Sequence, residues 1–376
     1  MPFSFEVLKT DATGARLGRL TTPHGEIETP VFMPVGTAAS VKGMTQEMLE
    51  QLDVRILLGN TYHLYLRPGH ELIRELGGLH RFMAWPRAIL TDSGGYQVFS
   101  MAELRKVSDE GVTFRSHLDG SAHFLTPEKA LEIQMALGSD IMMVLDECVE
   151  FPASHEHARH AAARTLAWAR RSREYFTAHG DPQRQAMFAI VQGSTFHDLR
   201  RENADALVAL DFPGYAVGGL AVGEPHAVTC DITAEVTARL PAHKPRYLMG
   251  VGKPEDIPDY VMRGIDMMDC VLPTRNARNG CLFTSQGHMH IKNARFAADP
   301  RPVDESCACP VCHRYSRAYL RHLFMANEIL AAVLNTLHNL YFYLELMRRI
   351  RAAIAAGTLA SLRAELRATA EAAASD

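Results

Sequence analysis

Short, almost wholly apolar runs recur along this chain. Each is followed by glycine or a polar residue and then by helix-like sequence. The runs are Val31–Val35, Ile56–Leu58, Ala88–Leu90, Ile141–Leu145, Met187–Val191, Tyr215–Val217, Tyr247–Met249 and Met267–Leu272. Continuous apolar runs of this length signal strands buried on both faces, as in a parallel sheet. The intervening segments carry helix punctuation. Thr126-Pro127 offers an N-cap followed by proline at the first helical position, and Gly138 closes that segment. Eight strand–helix units in roughly 240 residues match the size of a (β/α)8 TIM barrel, about 250 residues. The predicted fold class is therefore α/β.

The ends of the chain differ from this rhythm. Phe3–Val7, Arg16–Thr21 and His24–Glu26 alternate and turn, which predicts antiparallel strands over residues 1–30. Residues 317–350 form one long helical pattern rich in Leu, Ala and Met, and the last twenty residues read as an Ala-rich helix that frays. No linker or repeat divides residues 1–376, so a single catalytic domain is expected.

Polar residues stand where the apolar runs end. Thr91-Asp92-Ser93-Gly94-Gly95 follows the third run, Asp146-Glu147-Cys148 the fourth and Gln192-Gly193 the fifth. The sixth ends in Gly218-Gly219, the seventh in Gly250, and the eighth contains Asp269-Cys270. Barrel enzymes place their chemistry at the C-terminal ends of the strands. A glycosidic bond breaks through an oxocarbenium-like state served by two carboxylates, which makes Asp92, Asp146 and Asp269 candidates. The plainer reading is that each aspartate caps the next helix. The three occurring together, with glycines at Gly94-Gly95, Gly193, Gly218-Gly219 and Gly250 on the same strand ends to let a flat ligand approach the backbone, favour a site.

Cysteine usage adds a second chemistry. Of seven cysteines, Cys307, Cys309 and Cys312 sit together. Such a cluster suits a tetrahedral Zn²⁺ better than a disulfide framework, and it suits a reducing cytoplasm. The fourth ligand is His313, His322 or His338, and spacing does not choose among them. An iron–sulfur cluster, the rival, would want a fourth cysteine. A site with four protein ligands is closed and staples structure rather than catalysing.

Charge narrows the partners. A net charge of −4 gives no whole-molecule field for nucleic acid, so an RNA partner needs a local patch. Arg275, Arg278, Lys292, Arg295 and Arg301 supply one, opposed within that stretch only by Asp299. No window reaches 18 apolar residues and no basic-then-apolar leader opens the chain, so neither a membrane span nor a signal peptide is expected. Other motifs are weak. Gly218–Gly223 misplaces the glycines of a dinucleotide fingerprint, and Arg159 stands where a zinc-protease helix would need its second histidine. His155, His157 and His160 read as a solvated helix face, and His288-Met289-His290 as a strand edge.

The stretches Leu90–Phe99 and Met267–Arg278, with the cysteine cluster followed by a long helix carrying His338, resemble the bacterial tRNA-guanine transglycosylases. The resemblance runs nearly from end to end. It implies an irregular (β/α)8 barrel with a C-terminal zinc-binding subdomain and helix at about residues 300–350, and it selects His338 as fourth ligand to one structural Zn²⁺ per chain. It implies exchange of guanine at the first anticodon position of G-U-N tRNAs for preQ1, a 7-deazaguanine. Asp269 would be the nucleophile on ribose C1′ and Asp92 the acid/base, with configuration retained through a covalent aspartyl–ribose intermediate.

The same carry-over assigns the base-reading set. Asp146 faces the N1–H and amine of guanine, and Gln192 and the Gly219 N–H face its acceptors. Tyr96 and Met249 stack on the base. Leu220 and Glu224 read the aminomethyl group, and Cys148 with Val222 favours preQ1 over the bulkier queuine. Ser93 and Gly218 complete the set, and Arg275 and Arg278 hold RNA at the anticodon stem-loop. A homodimer is implied through Tyr315, Tyr319 and His322, with Tyr315 replacing the tryptophan of some relatives. Cys281 receives no role. Two other classes compete: a carbohydrate glycosidase using the same carboxylates, and a non-catalytic RNA-binding barrel. The first leaves the arginines and the cysteine cluster unexplained, and the intact Asp92 and Asp269 argue against the second.

Overall fold

The computed structural model describes residues 2–101 and 105–375. Its centre is a parallel sheet rolled into a barrel. Each predicted apolar run forms a strand: Ile56–Gly59, Ala88–Thr91, Ile141–Met143, Ala186–Val191, Gly214–Val217, Arg246–Leu248 and Met267–Asp269 follow the first. That first strand is split at Pro34 into Val31–Met33 and Val35–Gly36. Its first half pairs with Met267–Asp269 and its second half with Ile56–Gly59. Proline lacks the N–H that an unbroken ladder needs, yet its carbonyl still accepts from Leu58 N at 3.0 Å, which carries the closure across the break. Counting the halves together gives eight strands in chain order around the barrel.

Two strands are shorter than their apolar runs. Ile141–Met143 stops before Val144-Leu145, and Met267–Asp269 stops because Leu272 already begins the helix Leu272–Arg278. Apolarity marks burial, and Val144, Leu145 and Cys270 stay buried beyond the ends of their strands. The helix Pro127–Leu137 has the expected ends: Thr126 Oγ1 accepts from Lys129 N at 3.1 Å, and Gly138 takes φ 74°.

The strands Ser4–Thr10, Arg16–Thr22 and Gly25–Thr29 form an antiparallel sheet across the N-terminal mouth of the barrel. Buried Arg16 pairs with Asp266, the residue before the eighth strand. His24 Nδ1 meets Asp140 Oδ1 at 2.7 Å and His80 Nε2 meets Asp140 Oδ2 at 3.1 Å. The two imidazoles are stacked 3.5 Å apart and nearly parallel. Asp140, met by both imidazoles, ties this sheet to the start of the fourth strand.

Three features depart from the sequence reading. Arg105–Val107, Val112–Arg115 and Ala122–Leu125 form an antiparallel sheet inserted after the third barrel strand, which the apolar runs did not mark. The helix expected over 317–350 is two helices, Arg317–Met325 and Ile329–Ala356, because Asn327 turns left-handed at φ 55° and breaks the ladder. The final helix, Leu359–Ser375, is docked: Arg363 Nε reaches Asp259 Oδ1 at 2.5 Å, and Arg367 pairs with the same carboxylate. His288 and His290 lie on the edge of the hairpin Cys281–Thr284/Gly287–His290, as expected. His155, His157 and His160 lie exposed on the helix His155–His179.

Candidate active site

Three carboxylates gather at the C-terminal mouth, each buried. Asp92 follows the third strand. Its Oδ1 accepts from Thr61 N at 2.9 Å and Gly94 N at 3.2 Å, and Oδ2 accepts from Asn60 Nδ2. Burial pushes its pKa up to about 6, against the lowering hydrogen bonds from Asn60, Thr61 and Gly94, and the charge of Asp269 adds to the rise. A carboxyl tuned this way holds or releases a proton near neutral pH.

Asp269 ends the eighth strand. Its Oδ1 accepts from Tyr247 Oη at 2.5 Å and from Gly250 N at 2.8 Å. Its Oδ2 accepts nothing among the described residues. Burial raises its pKa, while the Gly250 and Tyr247 bonds oppose the rise. Tyr247, buried in the seventh strand, feels Asp269, Asp92 and Asp146 together, and burial with these charges keeps its hydroxyl protonated as a donor.

Asp146 follows the fourth strand. Ser93 Oγ donates to its Oδ1 at 3.1 Å and Gln192 Nε2 to its Oδ2 at 2.7 Å. Burial pushes its pKa up to about 6. Gln192 follows the fifth strand, and its buried Oε1 has no partner among the described residues. Glycine is required beside it: a Cβ at Gly219, where φ is 64°, would stand 2.3 Å from Gln192 Oε1. A Cβ at Gly218 would stand 3.0 Å from Gln192 Nε2 and 3.5 Å from Met249 Sδ. Met249 is half-buried and Tyr96 is exposed.

The loop after the sixth strand is tied by its own carboxylate. Glu224 accepts from Ala221 N at 2.6 Å, Val222 N at 3.0 Å and Thr229 Oγ1 at 2.6 Å. Burial opposes its ionisation, but these hydrogen bonds outweigh burial and hold its pKa below the usual value. Leu220 is buried in this loop. Burial, then the charge of Asp146, pushes the Cys148 thiol up to about 12, so it stays neutral. Arg275 is exposed and Arg278 half-buried, in the last turn of the helix after Asp269. Neither makes an ion pair or side-chain hydrogen bond among the described residues.

The cysteine cluster closes on one histidine. His338 Nδ1 lies 3.4 Å from the Sγ of Cys309 and of Cys312 and 4.0 Å from that of Cys307. Tetrahedral Zn–S and Zn–N bonds would put sulfur and nitrogen about 3.6 Å apart, so the four donors fit a shared metal. His338 Nε2 bonds the Phe283 carbonyl at 2.7 Å, which leaves Nδ1 as the ligand atom. Neighbouring Asn339 donates to the Pro273 and Cys281 carbonyls at 3.0 and 3.1 Å. Asn335 donates to the Ala277 carbonyl at 3.2 Å. The cluster is thereby coupled to the helix behind Asp269.

The family model described as Queuine tRNA-ribosyltransferase matches residues 11–372. The chain belongs to the queuine tRNA-ribosyltransferase family. Similar relatives of that name come from Koribacter versatilis (strain Ellin345), 58% identical over 366 residues that cover 95% of each chain, and from Solibacter usitatus (strain Ellin6076), 60% identical over 359 residues that cover 94% of this chain and 95% of the relative. The relative from Thermoanaerobacter sp. (strain X514) is 59% identical over 351 residues, 93% of each. Queuine tRNA-ribosyltransferases are pentosyltransferases, so the chain is an enzyme.

For a queuine tRNA-ribosyltransferase the barrel mouth is compact. Ser93, Asp146, Gln192, Gly218, Gly219 and Met249 stand together through the contacts above, Asp92 is the chain neighbour of Ser93, and Asp269 bonds Gly250 beside Met249 and is felt by Asp92 as a charge. Leu220, Glu224 and Cys148 lie on adjoining loops, and Tyr96 lies in the first turn of the helix Gly95–Met101. Sequence reasoning missed Asn60, Thr61 and Tyr247. Asn60-Thr61 follows the second apolar run and could have been found by the same strand-end rule. Tyr247 gave no signal, because an aromatic inside a buried strand reads as core.

Proposed function

We propose that the protein exchanges guanine at the first anticodon position of tRNAs with G-U-N anticodons for preQ1, 7-aminomethyl-7-deazaguanine. The observation that carries this reading is the unequal treatment of two buried carboxylates. Asp269 spends one oxygen on Tyr247 and Gly250 and leaves the other unengaged. Asp92 is held where it can exchange a proton.

Asp269 Oδ2 attacks ribose C1′ as the C1′–N9 bond of guanine breaks, and Asp92 gives the departing base its proton. The RNA is then an ester of Asp269. Incoming preQ1 surrenders its N9 proton to Asp92 and attacks C1′, which restores the Asp269 carboxylate. Two displacements retain the configuration of the sugar. The target base must leave its stack to reach a barrel mouth, so it is flipped out.

Asp146 accepts from the N1–H and exocyclic amine, and Gln192 with the Gly219 N–H serves the acceptors of the base. Ser93 holds Asp146, Gly218 admits the ring edge, and Tyr96 and Met249 sandwich the plane. The Leu220 carbonyl and Glu224 receive the aminomethyl group. The Cys148 side leaves room for preQ1 but not for queuine with its cyclopentenediol. Arg275 and Arg278 hold phosphates, supplying the positive charge the whole molecule lacks.

Cys307, Cys309, Cys312 and His338 hold one structural Zn²⁺, which when bound staples this subdomain to the helix behind Asp269. Residues 1–376 act as one catalytic unit, as a homodimer in the cytoplasm. No helix among the described residues is long and apolar enough to cross a membrane.

The test is exchange of labelled guanine into tRNA bearing a G-U-N anticodon. Label entering with wild type but not with Asp269→Ala is the expected result. Sugar hydrolysis without incorporation would replace this reading with that of a carbohydrate glycosidase.

A further inference from the structure

Arg200 is fully buried in the first turns of the helix His197–Val208, and no carboxylate among the described residues pairs with it. A buried guanidinium without a counter-ion is costly unless its donors are spent on well-placed acceptors. Here each of its three nitrogens donates to a backbone carbonyl. Nε donates to Ser194 at 2.8 Å, Nη1 to Val191 at 2.7 Å and Nη2 to Gly219 at 3.4 Å. Val191 immediately precedes Gln192, and Ser194 lies two residues after it, in a left-handed turn at φ 50°. Gly219 is the glycine against which the Gln192 amide packs. One planar cation thus spans the ends of two barrel strands and fixes the backbone on both sides of Gln192 and at Gly219.

The same helix supplies a second clamp one turn on. Asn203 Oδ1 accepts from Gln192 N at 3.0 Å, and its Nδ2 donates to the Ala162 carbonyl at 3.0 Å. Gln192 in turn donates to Asp146. The chain of contacts runs from Arg200 through two peptide anchors to Gln192 and Asp146, which line the mouth. Arg200 itself is sealed from solvent, and its charge is felt at Cys148 on a loop of the mouth.

We infer that Arg200 is a positioning residue for base recognition, acting through Gln192 and Gly219 and not through contact with RNA or base. The inference rests on the base-exchange reading above. Three acceptors on two strands demand the fork of arginine, because a lysine ammonium cannot meet them in one plane. Replacement by lysine keeps the charge and loses the geometry. The two base-reading groups would then shift together, while Asp92, Asp269, Arg275 and Arg278 stay in place.

The experiment compares wild type, R200K and R200M in labelled-guanine exchange, with melting temperature and tRNA affinity measured on each. Incorporation by wild type tests the base-exchange reading separately. With that control positive, R200K should raise the KM for free guanine at least tenfold, with kcat within about threefold of wild type and tRNA affinity unchanged. R200M should raise that KM further. An unchanged guanine KM in R200K, or an equal loss of tRNA affinity, overturns the proposal. So does failure of R200K to fold, since that assigns the residue to stability.

Discussion

Tyr247 donates its hydroxyl to the same Asp269 oxygen that receives the Gly250 N–H, so one carboxylate oxygen is anchored twice while the other accepts nothing among the described residues. Hydrogen bonds to a charged acceptor contribute roughly 1.5–3 kcal/mol each. Tyr247→Phe should therefore lower kcat/KM about tenfold to a hundredfold near neutral pH. The Tyr247 bond lowers a pKa that burial has raised, so its loss raises that pKa further. Less Asp269 is then ionised at a given pH, and the acid limb of the pH–rate profile should move upward. An acid limb that stays put would detach Tyr247 from the ionisation of Asp269.

Asp92 and Asp146 should cost stability at neutral pH. Each has a folded-state pKa raised from 3.8 to about 6. A carboxyl raised on folding favours the fold fully below its unfolded pKa, and that contribution is lost as pH rises through the folded value. Across about pH 4–6 the loss is roughly 3 kcal/mol per group. Asp92→Asn and Asp146→Asn should therefore melt higher than wild type near pH 7.5, with the gain shrinking towards about pH 4. Exchange should fail in Asp92→Asn despite the added stability. Melting curves at the two pH values check the first claim and guanine incorporation the second.

Gly219→Ala should impair base binding more than folding. The new Cβ would meet Gln192 Oε1 at 2.3 Å in a left-handed backbone that itself costs alanine roughly 1–2 kcal/mol. The amide of Gln192 must swing away from Asp146. A rise in guanine KM of tenfold or more is expected, with tRNA affinity retained. Steady-state kinetics against each substrate will show it.

Elemental analysis should find about one zinc per chain. Cys309→Ser, or prolonged chelation, should lower the melting temperature and folding yield before it alters guanine KM, because the Asn335 and Asn339 bonds tie the cluster to the helix behind Asp269 and not to Asp146 or Gln192. Iron in place of zinc, or a metal-free protein with unchanged melting, would end the staple reading.

Arg275→Ala and Arg278→Ala should weaken tRNA binding without changing guanine KM. Each lost phosphate contact should reduce the slope of log affinity against log salt by about one. A salt titration of tRNA affinity for each variant measures this directly.

The sequence alone determined the alternation of buried strand and helix, the closing face of the barrel and most of its chemical groups. Buried parallel strands must be apolar along their length, so Asp92, Asp146, Gln192 and Asp269 stand out where the runs stop. The cysteine spacing likewise declared a metal site by itself. What it left open depended on contacts between distant segments. Nothing local distinguishes His338 from His313 or His322 as a ligand, and only the packing of the helix Ile329–Ala356 against the hairpin brings its Nδ1 to the thiols. Nothing local marks Tyr247 or Arg200 as more than core: Tyr247 meets Asp269 22 residues away, and Arg200 joins its near neighbours Val191 and Ser194 to Gly219, 19 residues away. Tertiary structure decided these roles because a hydrogen bond depends on distance and direction in space, which the order of residues along a chain does not specify.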